Sequence, residues 1–163
     1  HRNSGWTFRD IPFDEAAYEI KGREQEEAGA LLLGRRSYEA FAPVWPTMDE
    51  FSGYNAMPRH VVSRTLEAED PRWPASVLRS LDEVAGLKET EGGSILVHGS
   101  ATLGQSLAEA GPVDRYHLLV FPVPLGAGLR LFGAPDADAT RLELVEQAAY
   151  ANGVQLQVYD VRR

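Results

Sequence analysis

The chain has 163 residues, a formal charge of −8 and a sequence pI near 5.0. That length suits one compact domain with a real core, and the acidic balance excludes the basic face that a phosphate-backbone binder needs. No apolar run approaches the roughly 18 residues that cross a bilayer. The lack of cysteine excludes disulfides, thiol nucleophiles and thiolate metal sites, and a cytoplasmic setting is compatible with it.

Residues 1–13 are polar, carry Gly5, Pro12, Trp6 and Phe8, and read as a loop. Residues 14–28 are rich in Glu, Ala, Lys and Gln and predict a helix, with Asp14 as N-cap and Gly29 as stop. The apolar run 30–33 is short enough for a buried strand, which ends at Gly34. Arg35 to Phe41 reads as a helix closed by Pro43 and Pro46. Residues 59–63 form a β-branched strand, and 76–79 a weaker one. Residues 81–91 are helical in pattern and stop at Gly92-Gly93. Ser94 to Val97 reads as a strand, and Ala101 to Ala110 as a helix closed by Gly111-Pro112.

The last third changes character. Residues 116–121 make a long strand, 122–128 a Pro/Gly loop, and 129–132 an apolar tag. Arg141 to Ala149 alternates Leu142 and Leu144 with Glu143 and Glu146. Asn152-Gly153 is a hairpin turn signal, and residues 154–161 alternate again. The strand–helix rhythm followed by a hairpin predicts an α/β fold. Its central sheet is mixed, mostly parallel and flanked by helices, with a C-terminal antiparallel hairpin.

No G-x-G-x-x-G, Walker A, H-E-x-x-H or G-x-S-x-G motif is present. His1, His60, His98 and His117 have no metal-ligand spacing. Three strand ends are more informative, because ligands of open α/β sheets bind beyond the carboxyl ends of the strands. Gly34-Arg35-Arg36-Ser37 offers a glycine, free N–H groups and guanidinium charge. Ser63-Arg64-Thr65 suits a phosphate monoester. Gly99-Ser100-Ala101-Thr102-Leu103 joins a small-residue turn to a helix start that can face a pyrophosphate. Each also reads as a plain turn, with solvated arginines or with Ser100 as an N-cap. Taken together, they point to a dinucleotide with an extra phosphate, NADPH.

The stretches Gly34 through Phe41 with Trp45-Pro46, then 58–66, 95–107, and Val113 through Phe132 occur in an order that resembles the dihydrofolate reductase-like superfamily. The likeness is nearest to the group holding the C-terminal reductase domain of riboflavin biosynthesis and its stand-alone bacterial relatives. The resemblance implies an NADPH-binding reductase. Gly34, Arg35, Arg36 and Ser37 would hold the pyrophosphate together with Gly99, Ser100, Ala101, Thr102 and Leu103. Ser63, Arg64 and Thr65 would meet the 2′-phosphate. Hydride would pass to a C=N or C=O carbon of a pyrimidine- or pteridine-like substrate.

The superfamily's Gly-Gly pair, often joined by a cis peptide, stands here as His98-Gly99. Its members also carry a central strand and a Leu-Asp-Gly-like loop ahead of the first helix. The resemblance therefore implies such a strand upstream of His1 in the natural protein. The folate reductases place an acid on that helix, which makes Asp14, Glu15 and Tyr18 the candidates here. Trp6, Phe8, Phe41 and Trp45 are aromatics that could stack on a flat heterocycle or fill the core.

Three functions are expected to compete: reduction of the ribosylaminopyrimidine of riboflavin biosynthesis, reduction of dihydrofolate, and NADPH binding without catalysis. The resemblance also implies a homodimer. Its partners would be small heterocycles, with no metal, nucleic acid or membrane.

Overall fold

The computed structural model describes residues 5–90, 92–133 and 139–163. They fall into two compact units, Lys21–Ala110 and residues 5–20 with 111–163. The fold class is α/β, as the strand–helix rhythm predicts.

In the Lys21–Ala110 unit, four strands pair in parallel. They are β1 (Ala28–Gly34), β2 (Arg59–Val62), β3 (Ser76–Leu78) and β4 (Ser94–Val97), in the order β3-β2-β1-β4. β1 is central, and Leu31, Leu32 and Leu33 are each at most 1 % exposed. Neighbouring side chains on a strand point to opposite faces, so both faces of β1 are covered. This explains why its sequence is a continuous apolar run. Helices follow the strands: α3 (Arg35–Phe41) after β1, α5 (Leu81–Lys88) after β3 and α6 (Ala101–Ala110) after β4. Ser80 caps α5 by accepting the Glu83 N–H at 3.2 Å. Helix α5 ends three residues short of the position expected from its pattern, and Glu91 lies outside the described residues.

Residues 45–56, for which the sequence predicts no element, form single 3₁₀ turns at Trp45–Thr47 and Asp49–Phe51, then α4 (Ser52–Ala56). They deliver Trp45, Tyr54 and Met57 into a cluster with Leu31, Leu33, Tyr38, Val61 and Trp73. Arg59 fastens this segment. Its guanidinium donates to the carbonyls of Asn55 (2.6 Å), Met57 (3.0 Å) and Pro74 (3.0 Å), and lies 5.1 Å from the Trp73 ring.

In the other unit, β5 (Arg115–Val120), β7 (Gln155–Arg162) and β6 (Arg141–Ala149) form an antiparallel sheet in the order β5-β7-β6. The 152–153 turn joins β6 to β7, with the Tyr150 N–H on the Val154 carbonyl at 2.9 Å. Val154, Leu156 and Val158 are buried on one face, as their alternation requires. Ala17 packs with Val154, and Ile20 with Leu156 and Val158. Among the residues read as an N-terminal loop, Trp6–Arg9 instead forms a single helical turn, α1. The 129–132 tag packs poorly, and Leu129 is 78 % exposed.

Gly29 does not stop a helix. Helix α2 (Glu15–Glu27) runs directly into β1, and Gly29 lies inside the strand at a register shift against β4. A Cβ there would lie 2.7 Å from the Gly93 main-chain nitrogen, so the glycine permits close approach of two backbones. Gly29→Ala should therefore destabilise the fold by about 1–3 kcal/mol. Gly22→Ala, on helix α2 with open space around it, should stabilise it by roughly 0.5–1 kcal/mol. Denaturant melts of both variants check the pair, and equal effects would contradict the backbone contact.

Candidate cofactor site

Parallel pairing puts the carboxyl ends of the four strands in one row. Gly34 of β1 lies across from Val62 of β2, and Val62 from Leu78 of β3; Leu32 of β1 lies across from Val97 of β4. The segments 34–37, 63–65 and 99–103 thus leave neighbouring strands on one side of the sheet.

Hydroxyls tie the ends of β1 and β4 together. The Gly34 N–H donates to Ser100 Oγ at 2.9 Å, and the Ser100 N–H donates to Ser37 Oγ at 3.0 Å. Ser100 Oγ in turn donates to the His98 carbonyl at 3.2 Å. Gly99 and Ser100 both have left-handed backbones, with φ of +61° and +56°. Glycine adopts this conformation freely, while a serine is held there by its surroundings. The His98–Gly99 peptide is trans.

Two N–H groups of the expected pyrophosphate cradle are therefore already bonded to hydroxyls. The first helical bond of α6 is Gly104 N–H to the Ser100 carbonyl, at 2.8 Å. The N–H groups of Ala101, Thr102 and Leu103 precede it and have no main-chain acceptor among the described residues.

The end of β2 is a closed turn. Ser63 is buried, and its Oγ accepts the N–H groups of Thr65 (3.2 Å) and Leu66 (2.9 Å). The Ser63 N–H bonds to the Leu78 carbonyl of β3 at 2.9 Å. Ser63 thus shapes the loop with the oxygen that the sequence reading assigned to a phosphate. Arg64 is exposed at the tip and makes no hydrogen bond or ion pair among the described residues. Arg36 is likewise exposed and unpaired, whereas Arg35 is held by Glu39 at 2.9 Å.

The aromatic candidates differ. Trp45 is a core residue at 6 % exposure; Phe41 stacks on it at 4.2 Å and Phe51 at 4.4 Å. It has no free face for a heterocycle, so Trp45 is core and not a substrate platform. Phe41 is half-buried and approaches Gly99, whose added Cβ would lie 3.5 Å from the ring.

The remaining candidates belong to the other unit. Trp6 packs edge-on against Phe121 at 5.0 Å, and the Phe8 side chain lies outside the description. The Asp14 carboxylate accepts the Ala16 N–H at 3.1 Å, which is capping geometry. Glu15 is exposed. Tyr18 stacks on Phe13 at 5.4 Å, and burial raises its pKa.

Two features escaped the sequence reading. Arg79, at the end of β3, donates through Nη1 to the carbonyls of Ser63 (3.0 Å) and Leu66 (2.8 Å). The strand-end rule, applied to 76–79 as well, is the signal that could have found it. The second is a buried carboxylate, Glu24, paired with Lys21 at 2.9 Å and accepting the Tyr54 hydroxyl at 3.4 Å. Nothing in the helical pattern sets Glu24 apart from its exposed neighbours. Burial, then Glu24, pushes the Tyr54 hydroxyl above its ordinary pKa.

The model of the RibD C-terminal domain family matches residues 2–156. The chain belongs to the RibD C-terminal domain family. It is 27 % identical over 136 residues to the Bacillus subtilis (strain 168) protein YyaP, itself uncharacterised; the match covers 79 % of this chain and 72 % of that one. In fold it is similar to a putative riboflavin biosynthesis protein from Shewanella sp. PV-4. That likeness has a TM-score of 0.77 and 18 % identity, over 94 % of this chain and 85 % of the other. A dihydrofolate reductase from Enterococcus faecalis, complexed with NADP(H), is similar with a TM-score of 0.63 and 13 % identity, over 89 % and 82 %. This RibD-type domain thus has the fold of dihydrofolate reductases. Among the described residues, no helix is long and apolar enough to cross a membrane.

His98 supplies a pH prediction. Its ring lies 5.2 Å from Trp45, 5.5 Å from Tyr54 and 6.0 Å from Phe41. Burial, with Lys21 adding to it and Glu24 opposing, lowers its pKa from 6.5 to about 4. The neutral ring is the folded form, so no stability is lost above pH 6.5. Between pH 6.5 and 4 the unfolded chain takes up the proton first, and stability falls by up to about 3 kcal/mol. The His98 ring should titrate near pH 4 by proton NMR, and a midpoint near 6.5 would contradict this burial.

Proposed function

We propose that this protein is an NADPH-dependent reductase of a pyrimidine- or pteridine-like heterocycle, resembling 5-amino-6-(5-phosphoribosylamino)uracil reductase. One observation carries the reading: among the described residues, Arg64 and Arg36 stand unpaired at adjacent parallel strand ends in a chain of net charge −8. An exposed guanidinium at a closed turn matches a phosphate monoester. Membership of the RibD C-terminal domain family, and a fold neighbour complexed with NADP(H), support the same cofactor.

Bound NADPH would supply the hydride. The chain's own part is to bind and orient. Arg64 would pair with the 2′-phosphate. Arg36, the Ser37 hydroxyl and the first-turn N–H groups of α6 would take the pyrophosphate, while Ser100, whose hydroxyl proton lies on the His98 carbonyl, would shape the turn. Ser37 and Ser100 already bond to each other's segments, so the β1 and β4 ends are held together before the cofactor arrives. Gly99 keeps the turn open beside Phe41.

A second reading, cofactor binding without turnover, is favoured by the capping role of Asp14. The same observation weighs against dihydrofolate as substrate, because that reaction asks for an available acid. We further propose a cytoplasmic homodimer, for which light scattering should report twice the chain mass.

Tryptophan fluorescence should be quenched by NADPH at lower concentration than by NADH. Arg64→Ala should reduce that preference by about 1.5–3 kcal/mol, the range for a hydrogen bond to a charged group. Equal binding of both cofactors to the unaltered protein would remove the 2′-phosphate site. Oxidation of NADPH with a pyrimidine or pterin panel separates the enzyme from the binding module.

A further inference from the structure

We propose that Arg79 is a positioning residue for cofactor selectivity, holding closed the turn that presents Arg64. The proposal rests on the NADPH reading above and adds a residue to it. Two strands meet at this point, β2 and β3. Ser63 leaves β2, its N–H is held by β3 at Leu78, and Arg79 follows Leu78 immediately. From there one guanidinium nitrogen spans the turn, donating to the carbonyls of Ser63 at 3.0 Å and Leu66 at 2.8 Å.

From inside the turn, Ser63 Oγ collects the N–H groups of Thr65 and Leu66. Carbonyls at both ends and N–H groups within are thus satisfied, and Arg64 is the one residue of 63–66 whose polar groups bond nothing described. A surface arginine must give up conformational freedom to hold an anion, and a loop fixed in advance lowers that cost. Arg79 acts on the main chain, so its effect on a phosphate is transmitted through Arg64. The Arg79 main-chain N–H is itself held by the Glu83 carboxylate at 3.1 Å, which fixes the base of the clamp.

The test uses 2′,5′-ADP and 5′-AMP, which differ by the 2′-phosphate, with binding measured by calorimetry. The unaltered protein should prefer 2′,5′-ADP; no preference would overturn both the NADPH reading and this proposal. Given a preference, Arg79→Ala should cut it by about tenfold, a little less than the loss of one hydrogen bond to a charged group, because Arg79 acts only through Arg64. In an Arg64→Ala background, Arg79→Ala should change it no further, because residues acting as one unit are not additive. An unchanged preference in the single variant would overturn the role of Arg79. Additive losses would also overturn it, because Arg79 would then act on the phosphate independently of Arg64. Amide exchange gives a second readout without ligand. Thr65 and Leu66 should exchange faster in Arg79→Ala while the β1 amides keep their protection, and unchanged exchange at both would equally overturn the clamp.

Discussion

The burial of β1 on both faces is the constraint on which the Lys21–Ala110 unit depends. Leu31, Leu32 and Leu33 have essentially no contact with water, and each stands to contribute roughly 1.5–3 kcal/mol of burial energy. A strand buried on both faces needs partners on both edges, or its main-chain groups go unsatisfied. β2 and β4 supply them, both parallel to it. Parallel strands need crossover connections, so the helices and the return loops follow. The row of strand ends at the candidate site is therefore a consequence of packing.

Electrostatics then sorts that row. Most arginines of this acidic chain have structural work. Arg59 holds carbonyls around Trp73, Arg35 pairs with Glu39, and Arg72 pairs with Asp70, holding that carboxyl down to about 2. Arg64 and Arg36 are left at the strand ends without such partners among the described residues. Two left-handed residues, Gly99 and Ser100, and the bond from the Ser100 N–H to the Ser37 hydroxyl shape the β4 end, on the other edge of β1 from Arg64. The buried Glu24 carboxylate is held by half-buried Lys21 and by the Tyr54 hydroxyl, and the His98 ring packs against Phe41, Trp45 and Tyr54.

Much of the fold was legible because its signals are local. The apolar run at 30–33, the alternation in 154–161 and the turn at 152–153 each have one physical reading. Gly29 misled because a glycine after a helical pattern resembles a cap. Its real reason, the backbone of Gly93, is 64 positions away in the chain. The same limit governs the site. Residues 34–37, 63–65 and 99–103 could be named from strand-end chemistry, but not which oxygens and N–H groups would already be used. Ser63 turned out to bond its own loop, Trp45 to sit in the core, and Arg79 to reach across from β3. Those outcomes depend on contacts between distant segments, which composition and spacing do not carry.

The central claim is that the end of β2 is a phosphate site and the row beside it a dinucleotide site. A crystal structure of the protein grown with NADPH tests it most directly. The account predicts the 2′-phosphate within hydrogen-bond distance of the Arg64 guanidinium, with the 63–66 turn still closed by Arg79. A cofactor whose 2′-phosphate lies away from Arg64, or that binds elsewhere than the β1, β2 and β4 ends, would contradict it.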